Sequence, residues 1–258
     1  MIRLVTTWLL LSAALPSAAE GWRAKQREQV SAQGNKPVVT EISYRDGKLR
    51  IDQGPISSLF DLRSGRLTVL NHQEKSFITD TFEELAKVRD TLITNTRRQL
   101  PTLPPELKKD LEAKLKEYER RDLGLPKATG KKLTVGAFSC EEYRAQSTGN
   151  DTTLCVAKDV GVNLADFAKH GTAVAARLHK LRMGGSEGPG GAALFEVAKY
   201  GFPVKSSSKV TLSGQVFTTE TELLEITASE VAPSEFEVPK GYQAKKLPDL
   251  QPPAAMPR

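Results

Sequence analysis

The sequence predicts an α+β protein built on an antiparallel sheet, and three observations lead to that fold class. Residues 21–79 contain five short runs rich in β-branched and aromatic residues, separated by polar turn clusters. After Asp80 the apolar residues recur at three- and four-residue steps, which is the period of an amphipathic helix. From Lys131 onward the strand pattern returns. We therefore expect one sheet, interrupted by helices that pack on its apolar face.

The first residues, MIRLVTTWLLLSAALPSAAE, have the pattern of a secretory signal peptide. Arg3 precedes an apolar run, and small residues lead up to Ala19. A membrane-spanning helix needs about 20 apolar residues, and Pro16 ends this run too early. We therefore predict a signal peptide at 1–19, a periplasmic or secreted protein, and no transmembrane segment after cleavage. The alternative is an uncleaved N-terminal anchor.

The formal net charge of the full sequence is +6, but the charges do not form a stripe of one sign. Between Arg97 and Lys132, eleven basic residues are interleaved with six acidic ones. Such mixing is typical of solvated helix faces. Export argues against nucleic acid as a partner. The alternative is that the excess of basic residues attracts the protein to an anionic lipid surface.

The runs of the first half predict a meander of strands, in the order VVTEISY, KLRIDQ, SLFDL, RLTVL and SFIT. Phe60 and Leu62 come before the turn at residues 63–65, and Leu67 and Val69 come after it. Because side chains alternate along a strand, this spacing gives the sheet one apolar face. A glycine at the end of the turn supplies the positive φ that hairpin loops of this length use.

Residues 81–122 predict a helical hairpin inserted into the domain. The first helix runs from Thr81 to about Arg98, with Thr81 or Asp80 as its cap. The second begins with prolines in its first turn and carries one apolar stripe: Leu107, Leu111, Leu115 and Tyr118. We expect this narrow seam to pack on the sheet.

Cys140 and Cys155 lie on either side of a short polar segment with turn residues. In an exported protein this arrangement predicts a disulfide across a hairpin. The alternative, a redox or metal-binding pair, lacks CxxC spacing and neighbouring histidines.

The remaining segments complete a single domain over residues 20–243. Asn163 caps a helix that continues to about Leu181, and its apolar side includes Phe167 and Leu178. The run MGGSEGPGG predicts a flexible loop, AALFEVAKYGFP a short helix, and KVTLSGQVFTT and TELLEITASEV two final strands. The proline-rich tail, residues 244–258, is expected to be disordered.

We find no set of residues suited to catalysis, so the sequence predicts a protein that is not an enzyme and needs no cofactor or metal. His72 lies in a polar turn where solvent exposure is expected, and His170 and His179 are nine residues apart on one predicted helix, which makes them poor co-ligands. None of the usual nucleophile, zinc or phosphate-loop motifs occurs. A hydrolase with an unrecognised site stays as an alternative class.

Three segments resemble a known superfamily. The first extends over Arg50–Gly54, Asp61–Leu70 and Lys75–Ile78, and the second is the cysteine segment followed by CVAKDVGV. The third is an acidic strand at 222–230 that leads to the run FEVPKGY at 236–242. Together they resemble the lipoprotein-localisation (LolA/LolB-like) superfamily, and more specifically a bacterial family of unknown function associated with it.

The resemblance implies a curved antiparallel sheet, an incomplete β-barrel with helices across its concave face. It also implies that the concave face holds a lipid, an acyl chain or a lipoprotein. The candidate lining residues are Leu49, Ile51, Phe60, Leu62, Leu67 and Val69, with Phe167 and Leu178 as contacts from a lid. The inserted hairpin, the disulfide and the lack of a lipid-anchored cysteine depart from the carrier and its receptor. The alternative is an envelope structural or interaction protein with a sealed core, whose contact surface is the basic face of residues 108–121.

Overall fold

The computed structural model describes residues 21–31, 36–119, 125–147, 150–181, 192–212 and 215–246. The predicted signal peptide at 1–19, the predicted flexible loop at 183–191 and most of the predicted tail, residues 247–258, lie outside the described residues.

The chain is mostly sheet, and its strands form a single open sheet in the order β12-β6-β5-β4-β3-β2-β1-β11-β10-β9-β8-β7. The strands of the first half are β1 (Trp22–Val30), β2 (Val38–Arg45), β3 (Lys48–Gln53), β4 (Ile56–Asp61), β5 (Arg66–Asn71) and β6 (Ser76–Thr81). Those of the second half are β7 (Lys127–Val135), β8 (Phe138–Ser147), β9 (Asn150–Ala157), β10 (Phe202–Leu212), β11 (Gln215–Ala228) and β12 (Gln243–Ala244). All pairs are antiparallel except β12 with β6. The five predicted strands of the meander are confirmed as β2 to β6.

The pairing register decides which residues share a face, because directly opposed residues in neighbouring strands point the same way. Trp22 is opposite Tyr44, Tyr44 is opposite Leu49, and Leu49 is opposite Phe60. We call the side of the sheet that carries these residues the inner face. Side chains alternate along each strand, so Arg23 and Arg50 lie on the other side, the outer face.

The predicted helices of the insert are confirmed as α1 (Phe82–Gln99) and α2 (Pro105–Glu119), joined by a 3-10 turn. Thr81 caps α1: its hydroxyl accepts a hydrogen bond from the Glu84 N–H, and the Glu84 carboxylate accepts one from the Thr81 N–H. The predicted apolar seam of α2 is only partly buried. Leu115 is buried, but 55% of Leu107 is exposed. The described residues of α1 and α2 make few contacts with each other.

Helices α3 (Ala165–Lys180) and α4 (Ala192–Val197) pack on each other and on the inner face. The Phe167 ring of α3 meets Trp22 and Tyr44 edge-on, with ring centroids 5.5 and 5.3 Å apart. Gly171 allows α3 and α4 to approach closely, since a Cβ atom there would lie 2.8 Å from the Ala198 Cβ. The core of the protein is therefore the layer between α3, α4 and the inner face.

The predicted disulfide is confirmed. Cys140 on β8 and Cys155 on β9 are bonded, with Cα atoms 5.4 Å apart, and both are buried against the core. No helix in the described part of the chain is long and apolar enough to cross a membrane.

Candidate functional site

The eight residues predicted to line a cavity all lie on the side of the core, but they divide into two groups. Five are buried: Leu49, Ile51, Leu62, Phe167 and Leu178. Phe60 and Leu67 are half-buried and pack against the core cluster from its edge, and Val69 is half-buried beyond them. The buried group holds α3 on the sheet, so the half-buried group is the part of the prediction that can meet a ligand.

Val69 belongs to a row of inner-face residues that crosses four strands. Ile51 is opposite Ser58, Ser58 is opposite Val69, and Val69 is opposite Ile78. We call these four residues the inner row. Ile51 is buried in the core, whereas the other three are half-buried. The inner row therefore leads from the core outward along the inner face toward β6.

A polar group lies beside the inner row, on β1 to β3. The Gln53 amide donates a hydrogen bond of 3.3 Å to the Glu28 carboxylate across the intervening strand β2. Thr40 of β2 is only 4% exposed, and its hydroxyl has no hydrogen-bond partner among the described residues. Burial raises the pKa of Glu28, and the hydrogen bond from Gln53 opposes that shift. The inner face thus combines a row that is apolar except for Ser58 with a desolvated carboxyl and a buried hydroxyl that lacks a partner among the described residues.

Helix α3 is fixed at both ends by polar contacts. Near its start, the Tyr44 hydroxyl donates a hydrogen bond of 2.6 Å to the Asp166 carboxylate and accepts one from the Gly47 N–H. Burial and the neighbouring Asp166 carboxylate raise the pKa of Tyr44. Near its end, Arg177 pairs with Glu83 of α1 at 2.6 Å and donates to the Ser64 carbonyl. These contacts join α3 to the sheet and to α1.

The outer face carries a second polar site, formed with the C-terminal segment, residues 229–246. The Arg23 guanidinium lies 2.7 Å from the Glu235 carboxylate, and Arg50 donates to the Glu235 carbonyl at 2.8 Å. Burial opposes ionisation of Glu235, but hydrogen bonds from Arg23 and the Ala232 N–H outweigh it and lower the pKa of Glu235. The segment ends as β12, whose Ala244 lies opposite Phe77 of β6. Ala244, the first residue of the predicted disordered tail, is therefore part of the sheet.

A serine and a histidine meet under this segment. The Ser57 hydroxyl lies 2.5 Å from His72 Nε2 and also donates to the Asp52 carboxylate, and His72 Nδ1 lies 2.6 Å from the Tyr242 hydroxyl. Ser57 is fully buried, so its hydroxyl is not presented to a substrate. The pair instead connects the sheet to the C-terminal segment. His72 is half-buried, and tertiary contacts occupy both of its ring nitrogens.

Sequence reasoning missed the roles of Glu28, Thr40, Gln53 and Tyr242. The first strand is largely polar, and its only signal is the alternation that places Trp22, Ala24, Gln26 and Glu28 on one side. The contacts of Tyr242 join residues 170 positions apart. No local pattern predicts a pairing at that separation.

Comparisons with known proteins give a family but no activity. A family model described as a domain of unknown function (DUF4412) matches residues 109–242. The third resembling segment lies inside that match, and the first lies outside it. No curated protein matches the chain.

Among solved structures, the chain is similar to two described as the structure of PNGF-II, in the C2 and P21 space groups. For the C2 form the TM-score is 0.44 at 8% identity, over 89% of this chain and 31% of that one. For the P21 form the TM-score is 0.41 at 6% identity, over 89% and 32%. The chain spans about a third of the length of these structures. At these values the likeness carries no argument about function.

Proposed function

The chain belongs to the DUF4412 family of domains of unknown function, and we propose that this member is a periplasmic or secreted protein that binds a lipid or acyl chain. In this proposal the protein is not an enzyme, and its ligand lies along the inner row. The predicted signal peptide at 1–19 supports export. The observation that carries the proposal is the inner row itself, where half-buried apolar side chains continue outward from the core.

A binding site of this kind needs apolar walls and a few polar groups that orient the ligand. Val69 and Ile78 would contact the acyl chain, and Ile51 would form its inner end. Glu28, Gln53 and the Thr40 hydroxyl, which has no hydrogen-bond partner within the described part of the chain, would meet a polar headgroup at the side of the row. A buried hydroxyl without a partner costs free energy, so a ligand that hydrogen-bonds it would recover part of that cost.

The LolA/LolB-like resemblance belongs to this proposal, as does the half-barrel curvature that it implies. The Trp22 ring on β1 and the Phe202 ring on β10 contact each other on the inner face, with centroids 5.5 Å apart. The sheet remains open, with β12 and β7 at its edges.

The first test is native mass spectrometry with organic extraction, on protein purified from a bacterial periplasm without detergent. We expect a copurifying lipid or fatty acid, and we expect Val69→Glu to remove it because a carboxylate in the inner row opposes an apolar ligand. Thr79→Glu is the matched control, since it adds the same charge at an exposed position of the outer face. The circular dichroism spectrum and urea midpoint of each variant establish that it is folded.

Ligand retention by a folded Val69→Glu variant would contradict the proposed site. If that variant unfolds, Ile78→Gln replaces it, because Ile78 lies farther from the core in the same row. A ligand-free mass for the unaltered protein, unchanged after incubation with phospholipid, would reject lipid binding.

One observation favours the alternative, an envelope structural or interaction protein with a sealed core. Phe167 and Leu178 of α3 are buried against the inner face, as expected if the helices close it permanently. Under this alternative, charge reversal in the described part of the predicted contact surface, residues 108–119, would remove a protein partner, and lipid would never copurify.

A further inference from the structure

The bend between α1 and α2 has a composition unlike the rest of the insert. Residues 97–109 read RRQLPTLPPELKK. One basic pair, Arg97 and Arg98, precedes an apolar centre, and a second pair, Lys108 and Lys109, follows it. The apolar residues of that centre are Leu100, Pro101, Leu103, Pro104, Pro105 and Leu107. None of the thirteen side chains is buried, and 55% of Leu107 is exposed.

Among the described residues, the buried side chains of α1 lie near its start. The buried residues of α1 are Phe82 and Ala86, and Arg89 donates a hydrogen bond to the Leu181 carbonyl at the end of α3. From Arg89 to the end of α1 is ten residues, or about 15 Å at the rise of an α-helix. The bend therefore lies well away from the buried residues of α1.

Charge is separated along the insert. Helices α1 and α2 with their connection, residues 82–119, contain eight basic and eight acidic residues, so the whole is neutral. Residues 97–109 contain four basic residues and one acidic residue. The acidic excess lies elsewhere, including Glu83 and Glu84 in the first turn of α1. The bend thus has a net charge of +3 together with an apolar centre in which Leu107 and the prolines are exposed and Leu100 and Leu103 are half-buried.

We propose that residues 97–109 dock on an anionic lipid surface. Leucine and proline side chains enter the boundary between headgroups and acyl chains, while basic side chains stay at the level of the anionic headgroups. Charge complementarity selects this occupant, because each basic pair lies immediately beside the apolar centre, where the headgroups would be. The proposal is independent of ligand binding on the inner face and concerns a different surface.

The test is sedimentation of the purified protein with vesicles of phosphatidylcholine, with and without phosphatidylglycerol. We expect binding only with phosphatidylglycerol, and weaker binding as salt is raised. Arg98→Glu with Lys109→Glu should lower the partition coefficient by about 30-fold or more, since each basic residue near the surface contributes about fivefold. The matched control is Lys127→Glu with Lys132→Glu, which makes the same charge change on exposed residues of β7.

A second pair of variants tests the apolar centre. Leu107→Ser should weaken vesicle binding several-fold, and Leu224→Ser should not, although 48% of Leu224 is exposed on β11. Equal binding to both kinds of vesicle, or unchanged binding by Arg98→Glu with Lys109→Glu, would overturn the proposal. So would binding to an acidic protein instead of to vesicles. All four variants should retain any ligand of the inner row, which separates a failure of docking from a failure of the proposed function.

Discussion

Phe167 should be the strongest single contributor to the attachment of α3. Its ring is fully buried and meets both Trp22 and Tyr44 edge-on. Truncating a buried phenylalanine to alanine costs about 3–5 kcal/mol of unfolding free energy, because apolar burial is lost and a cavity remains. Phe167→Leu fills most of that space and loses the two edge-on ring contacts, each worth about 0.5–1.5 kcal/mol. We therefore expect Phe167→Leu to cost about 1–3 kcal/mol.

Urea unfolding followed by the fluorescence of Trp22 measures these losses of unfolding free energy. Trp22 is a suitable probe because it is 2% exposed and contacts the Phe167 ring. Leu224→Ala is the control, and its unfolding free energy should change by less than about 0.5 kcal/mol because Leu224 lies largely in solvent. A loss below about 1 kcal/mol for Phe167→Ala, with an unchanged slope of unfolding free energy against urea, would contradict a strong contribution of Phe167 to the attachment of α3. It would mean that α3 is a lid attached weakly to the inner face.

Two further predictions concern the hairpin of β8 and β9 and the carboxyl on the inner face. Replacing Cys140 and Cys155 together by serine should lower the unfolding free energy by about 3 kcal/mol, the chain-entropy value for a loop of this length. As a control, the wild-type protein is reduced, and thiol titration establishes that the disulfide is open. If its urea midpoint does not change on reduction, the predicted stabilisation by the disulfide is contradicted. For Glu28, burial raises the pKa in the folded protein, so the folded state binds this proton more tightly than the unfolded chain does. The resulting stabilisation is complete below the unfolded pKa and is lost as pH rises through the folded pKa. The urea midpoint of Glu28→Gln should therefore rise relative to that of the wild type as the pH is raised from 4 to 7. A difference between the two midpoints that does not change with pH would argue against a desolvated carboxyl.

The disulfide and the local elements could be predicted because their signals are short-range. The turn residues between β2 and β6 mark each hairpin, and the cap of α1 lies within four residues of sequence, from Thr81 to Glu84. Cys140 and Cys155 are fifteen residues apart on one hairpin. Each of these features depends on residues that the chain brings together by local folding alone.

The site was predicted only in part, because burial depends on what packs over a residue. Alternation places Leu49 and Val69 on the same face, and nothing in their own strands distinguishes them. The difference between them is tertiary: Leu49 belongs to the core cluster that includes residues of α3 and α4, whereas Val69 is half-buried outside it.

Local sequence patterns were enough to predict β2 to β6, the helices α1 and α2, the disulfide and the apolar alternation of the meander. They did not predict β1 or β12, and they placed the final strands at 209–219 and 221–231, whereas β10 is Phe202–Leu212 and β11 is Gln215–Ala228. The contact of Gln53 with Glu28 across β2, and that of Tyr242 with His72 on the outer face, become visible only in the folded protein. Strand order and register are set by the free energy of the whole packed sheet. Contacts between residues far apart in sequence follow from that packing.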